Sequence, residues 1–131
     1  MGLAPASHHV RLTAAQEAEA SRFLEALRQG GVSPPGDGKP GPALLEYLAG
    51  EGLVEDAGSG VVFDTGVYRE MLDRTVAHLG DAGSVSLAEV RDLFGTSRKY
   101  AQAFLEHLDG THVTRRVGDR HVLRTPPGGR T

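Results

Sequence analysis

Arg98, Lys99 and Tyr100, and then Arg115, Arg116 and Arg120 around Gly118-Asp119, are the side chains whose types and spacing best suit chemistry. That chemistry is the gripping of a polyanion. An arginine offers a planar fork of donors that matches phosphate oxygens and base edges and also stacks on rings. Between 98 and 124 there are five arginines and one lysine against three carboxylates, Glu106, Asp109 and Asp119. Thr96 and Ser97 add hydroxyls, His121 lies close by in sequence, and Arg91 is a minor member of the set. A lone cation in a helix's first turn is ordinarily solvated surface. Three arginines at one hairpin tip are harder to explain that way, because surface charge is usually mixed in sign. Tyr100 suits stacking on a base and equally suits half-burial against its own domain.

Other chemistries fit poorly. The chain has no cysteine, which excludes a disulfide scaffold, thiolate catalysis and sulfur-bound metal, and fits a reducing compartment. Six histidines form no H-E-x-x-H or H-x-x-x-H pair. Gly36-Asp37-Gly38-Lys39 is glycine-rich, but Pro40 stands where a phosphate loop needs Ser or Thr, and Ser33 where its first glycine belongs. No Gly-x-Ser-x-Gly elbow is present, and the carboxylates are scattered. No apolar run approaches membrane length, and Met1 to Val10 does not resemble a signal peptide, so a cytoplasmic setting without membrane contact is expected. The formal charge of -3 excludes a uniformly basic surface. It conceals an asymmetry, however, with four basic and nine acidic residues in 1–66 against ten and eight in 67–131. Any anion-binding surface belongs to the second half.

The elements that must position these residues follow from apolar spacing. A helix is expected over 12–30, capped by Thr13 with Gln16, its stripe being Ala20, Phe23, Leu24 and Leu27. Pro34, Pro35 and Pro40 keep 32–41 a loop. A helix over 42–51 with Leu44, Leu45 and Leu48 precedes a hairpin of 53–54 with 61–63. From Asp64 or Thr65 a longer helix runs to Leu79 on Val67, Tyr68, Met71, Leu72, Val76 and Leu79. A short strand at 84–85 leads to a helix capped by Ser86 with Glu89; Gly95 then breaks the chain. Thr96 or Ser97 caps a last helix to Leu108 on Ala101, Phe104, Leu105 and Leu108. A hairpin of 113–117 with 120–124 closes the series. Leu44, Leu45, Glu46, Leu48 and Leu53 recur sixty positions on as Phe104, Leu105, Glu106, Leu108 and Val113.

Helix, short strand, helix, tight turn, helix and hairpin is the winged-helix plan, a variant of helix-turn-helix. The fold class expected is α+β, mainly helical, with tandem winged-helix domains at 12–64 and 65–125 and flexible ends at 1–11 and 126–131. Units of this size are marginal alone, so the two should share packing.

The run Arg91-Asp92-Leu93-Phe94-Gly95-Thr96-Ser97-Arg98-Lys99-Tyr100, followed by Thr114-Arg115-Arg116-Val117-Gly118-Asp119-Arg120, resembles the end of the bacterial selenocysteine-specific elongation factor SelB. That family ends in four winged-helix domains, and this chain is similar to the last two, most specifically over 63–123. The resemblance implies that the final domain binds a stem-loop in selenoprotein mRNA beside the UGA codon to be recoded. It implies contacts from Ser97, Arg98, Lys99 and Tyr100, from Arg115, Arg116 and Arg120, and in a lesser role from Arg91. It also implies that GTP and Mg²⁺ belong to an N-terminal GTPase outside this chain, through which the ribosome and selenocysteinyl-tRNA are engaged. The chain itself is then a monomeric binding fragment with no catalysis, cofactor or metal of its own. Its acidic first domain suits a spacer or orienting role. The alternatives are a DNA-binding winged-helix transcription regulator, with the last helix in a major groove, and a protein-docking module built on the acidic half.

Overall fold

The computed structural model describes residues 12–124; the ends read above as flexible lie outside that range. Helix α1, Ala14–Gly30, begins at a closed capping box. The Thr13 hydroxyl accepts from the Gln16 amide at 3.0 Å, and the Gln16 side chain accepts from the Thr13 amide at 2.9 Å. The proline-bearing stretch stays non-helical up to Pro42, which opens α2, Pro42–Gly50, where its missing donor costs nothing. Strands β1, Val54–Asp56, and β2, Val62–Asp64, pair antiparallel with Val54 opposite Asp64. No linker follows. Asp64 ends β2 and also caps α3, Thr65–Ala82, accepting from the Val67 amide at 3.1 Å.

The second unit continues with β3, Val85–Ser86, then α4, Leu87–Phe94, opened by a second capping box between Ser86 and Glu89. Helix α5, Arg98–Gly110, starts at Ser97, and β4, Thr114–Val117, turns into β5, Arg120–Leu123. These form a three-stranded sheet in the order β3-β5-β4. Every expected element is present, with ends displaced by a few residues at most, the usual uncertainty of helix and strand limits. One stripe differs. On α3 the buried face runs Tyr68, Met71, Thr75 and Leu79, so Thr75 lies inside while Leu72 and Val76 are only half-buried.

Two apolar clusters hold the chain together. Ala20, Phe23, Leu27, Leu44, Leu48, Val54 and Val62 form the first. The second gathers Tyr68, Met71, Leu79, Val85, Val90, Phe104, Leu105 and Leu108, together with Ala57, Val61 and Phe63 from the first hairpin. Alternation along β2 explains the sharing. Successive strand residues point to opposite faces, so Val62 enters one cluster while Val61 and Phe63 enter the other. Phe63 lies 6.3 Å from the Tyr68 ring and 6.4 Å from that of Phe104. Among the described residues no helix is long and apolar enough to cross a membrane.

Candidate nucleic-acid interface

The turn between α4 and α5 is built on Gly95, whose φ of 64° is left-handed and free of strain only for glycine. Its amide bonds the Asp92 carbonyl at 3.3 Å, and the Thr96 amide bonds that of Arg91 at 3.0 Å, closing off α4. Ser97 is the cap of α5; its hydroxyl accepts from the Tyr100 amide at 3.4 Å, leaving the hydroxyl proton free for another acceptor. Arg98 and Lys99 are exposed at the first turn, where unpaired amides and the helix dipole favour an anion. Tyr100 is half-buried against the second cluster, and the Lys99 ammonium lies 5.7 Å from its ring centre.

The wing turns at Gly118, again at φ 64°, with Val117 paired to Arg120 across a two-residue loop. Strand alternation separates its two adjacent arginines. Thr114 is buried toward α5, where its hydroxyl donates to Asp109 Oδ1 at 2.6 Å; His121 Nδ1 lies 3.1 Å from the same oxygen. These bonds root the wing on the last turn of α5. Arg116 stands on that face, opposite His121, while Arg115 stands on the other, opposite Val122 and beside the exposed Val117. Arg116 therefore shares a groove with α5 and Arg115 does not. The groove, of about 490 Å³, is lined by Arg98 and Gln102 from α5, by Arg116 and Arg120 from the wing, and by the start of α4. Glu106, Asp109 and Asp119 also border it. The start of α5 and the wing, through Arg116 on one face and Arg120 from β5, thus line a single concave surface.

Two of the expected contact residues already have partners within the chain. Arg120 donates to Ser84 Oγ at 2.6 Å and to Glu89 Oε1 at 2.8 Å, so its charge is paired with a carboxylate at the surface. The reason is topological, since β5 is the central strand and its side chains meet neighbours on both flanks. Arg91 pairs with its neighbour Asp92 at 3.2 Å. Arg116 bonds the Gly118 carbonyl at 2.8 Å. Among the described residues Arg98, Lys99, Arg115 and Arg116 make no ion pair.

Glu89 carries a testable consequence. The Ser86 backbone amide, then the hydrogen bond and charge of Arg120, hold its carboxyl below the usual 4.5. A lowered folded-state value stabilises the protein above the unfolded-state value, and that stability is lost as pH falls through the folded one. Glu89→Gln is therefore expected to be less stable than the parent at pH 6 and to converge with it as pH falls below 4.5, measured by urea unfolding across pH. An unchanged difference at pH 3 would show that charge is not the origin.

Sequence reading missed Arg74. Carried by α3, its guanidinium donates to the Leu93 carbonyl at 3.2 Å and lies 4.9 Å from the Phe94 ring centre, bracing the turn before α5 from outside. No local pattern marks such a long-range contact. A second hollow, of about 470 Å³ between α1 and the proline-bearing loop, sets Arg22 and Lys39 against Glu19 and Asp37. Lys39 is bound to the Gly60 carbonyl, so Gly36-Asp37-Gly38-Lys39 is no phosphate cradle. No group of three His, Asp or Glu able to hold a metal occurs among the described residues.

The comparisons fall on these same elements. Residues 77–123, which span the end of α3, the helix-turn-helix and the wing, match the family model of elongation factor SelB, winged helix. None of the curated proteins matches the chain. Among solved structures the chain is similar to the mRNA-binding domain of elongation factor SelB from E. coli in complex with SECIS RNA. The identity is 22%, the TM-score 0.68, and the match covers 86% of this chain and 99% of that one. The chain thus has the winged-helix fold of that mRNA-binding domain, and its residues 77–123 carry the winged-helix pattern of elongation factor SelB.

Proposed function

We propose that this chain is the mRNA-binding part of a selenocysteine-specific elongation factor and grips a stem-loop in selenoprotein mRNA so that UGA is recoded. The observation that carries the reading is that Arg98 and Arg116, from two different elements, line one groove and, among the described residues, are paired with no carboxylate. Two guanidiniums held apart across a concave surface suit successive phosphates better than one small anion. Lys99, next to Arg98 at the first turn of α5, takes a neighbouring phosphate, Arg115 on the other face of the wing adds a peripheral charge, and Ser97 and Tyr100 supply a hydroxyl contact and partial stacking on an unpaired base. The family match and the fold shared with a protein solved on SECIS RNA support the same reading. In it the chain binds as a cytoplasmic monomer without catalysis. GTP, Mg²⁺, selenocysteinyl-tRNA and the ribosome are engaged through the rest of the factor.

The test is a titration of the chain with a selenoprotein-mRNA stem-loop, its linear scramble and a DNA duplex of equal length. The stem-loop is expected to bind at least tenfold tighter than either competitor. With three to four phosphates engaged, log affinity should fall against log salt with a slope of about -2 to -4. Equal affinity for all three would remove the reading. A preference for palindromic duplex together with a stable dimer would replace it with a DNA-binding regulator.

A further inference from the structure

Helix α5, which carries Arg98 and Lys99, is fastened to the first unit at both ends. At its start the Thr96 hydroxyl donates to the Val32 carbonyl at 2.9 Å and lies 3.0 Å from the Ser33 hydroxyl. A hydroxyl has one proton, so with Thr96 donating to Val32, Ser33 must donate to Thr96. The Val32 side chain packs on the second cluster, so the proline-bearing loop clasps the α4–α5 turn by backbone, hydroxyl and apolar contact together. In its last full turn, His107 Nε2 meets Glu55 Oε2 of β1 at 2.9 Å. The Tyr68 ring stands 5.5 Å from the imidazole. Burial, with the Glu55 charge adding to it, pushes the Tyr68 phenol up to about 12, so the phenol stays protonated. Between these two attachments Ala57, Val61 and Phe63 pack beneath the helix.

The first 66 residues hold nine carboxylates and four basic groups, a balance that opposes contact with phosphate. Building on the RNA reading, we propose that the first unit contributes to binding without touching RNA. It holds the start of α5 in the geometry that brings Arg98 across the groove from Arg116, with Ser33 and Thr96 as the positioning residues. Thr96 is thereby removed from the set of RNA contacts, although it adjoins Ser97. A turn loosened at this point populates the competent geometry less often, and apparent affinity falls by that fraction.

The test uses the whole chain with Thr96→Val, Ser33→Ala, the double variant and Thr96→Ser. In the free protein, amide exchange over 95–100 is expected to accelerate about fivefold in the first three, the scale of one net hydrogen bond. Stem-loop affinity should fall roughly three- to tenfold with an unchanged salt slope and unchanged binding to scrambled RNA. The double variant should be no worse than the weaker single one, because both remove the same clasp. Thr96→Ser should restore both readouts. Unaltered exchange and affinity would overturn the proposal, as would additive losses or a reduced salt slope. If the parent chain shows no preference for the stem-loop, the RNA reading fails, while amide exchange still decides whether the clasp holds the turn.

Discussion

Replacing Arg98 and Arg116 together by alanine is expected to weaken stem-loop binding by about a hundredfold near physiological salt while leaving the fold intact. Both side chains are exposed, neither makes an ion pair among the described residues, and both line the groove between α5 and the wing. Hydrogen bonds from a charged donor contribute about 1.5–3 kcal/mol each, so two lost contacts span roughly two orders of magnitude or more. Fluorescence anisotropy over a range of salt adds a second measure. Each phosphate contact releases counterions, so the slope of log affinity against log salt should become shallower by about 1.5 to 2. Arg120→Ala is the contrasting case. Its guanidinium already neutralises Glu89, so its loss should lower stability more than it alters the salt slope. A double variant that retains full affinity, or loses affinity with the slope unchanged, would show that the groove is not where phosphate binds.

Phe63→Ala is expected to destabilise the chain by about 3–5 kcal/mol, the range for deleting a fully buried aromatic side chain. Phe63 is fully buried and belongs to a hairpin that ends the acidic unit, yet its ring meets Tyr68 and Phe104 of the second. The loss should therefore not stay local. Urea unfolding followed by tyrosine fluorescence should shift together with helical ellipticity, and amide protection in α3 and α5 should fall along with that in β2. Because α5 carries Arg98, stem-loop affinity should fall too, although position 63 lies in the acidic half. Loss of protection confined to the first unit, or a change below about 1 kcal/mol, would mean that the units fold separately and that β2 is not a shared wall.

Much of this was legible in local sequence. Thr13 with Gln16 and Ser86 with Glu89 are capping boxes whose partners lie three residues apart, so neighbouring residues suffice to specify them. Gly95 and Gly118 occupy left-handed positions at the two turns that define the helix-turn-helix and the wing. The run from Arg91 to Tyr100, with the Thr-Arg-Arg-Val-Gly-Asp-Arg wing, points to the family whose model matches residues 77–123. Even the opposite facing of Arg115 and Arg116 follows from the two-residue strand period, once the buried Thr114 fixes which face is inward.

What local sequence determined, then, is the order of helices and strands, their caps and turns, and the concentration of arginine in the second half, because each is read from residues a few positions apart. Only the tertiary structure decided which cations remain available. Arg120 meets Glu89 thirty-one positions away because β5 is the central strand, and Arg74 meets Leu93 because α3 packs beside the turn. The fastening of Thr96 to Val32 and Ser33, sixty-four and sixty-three positions earlier, belongs to the same class. No periodicity encodes such pairs. They arise where burying Phe63 and Val61 beside Phe104 brings the two units together, and burial in a shared core depends on the whole chain at once.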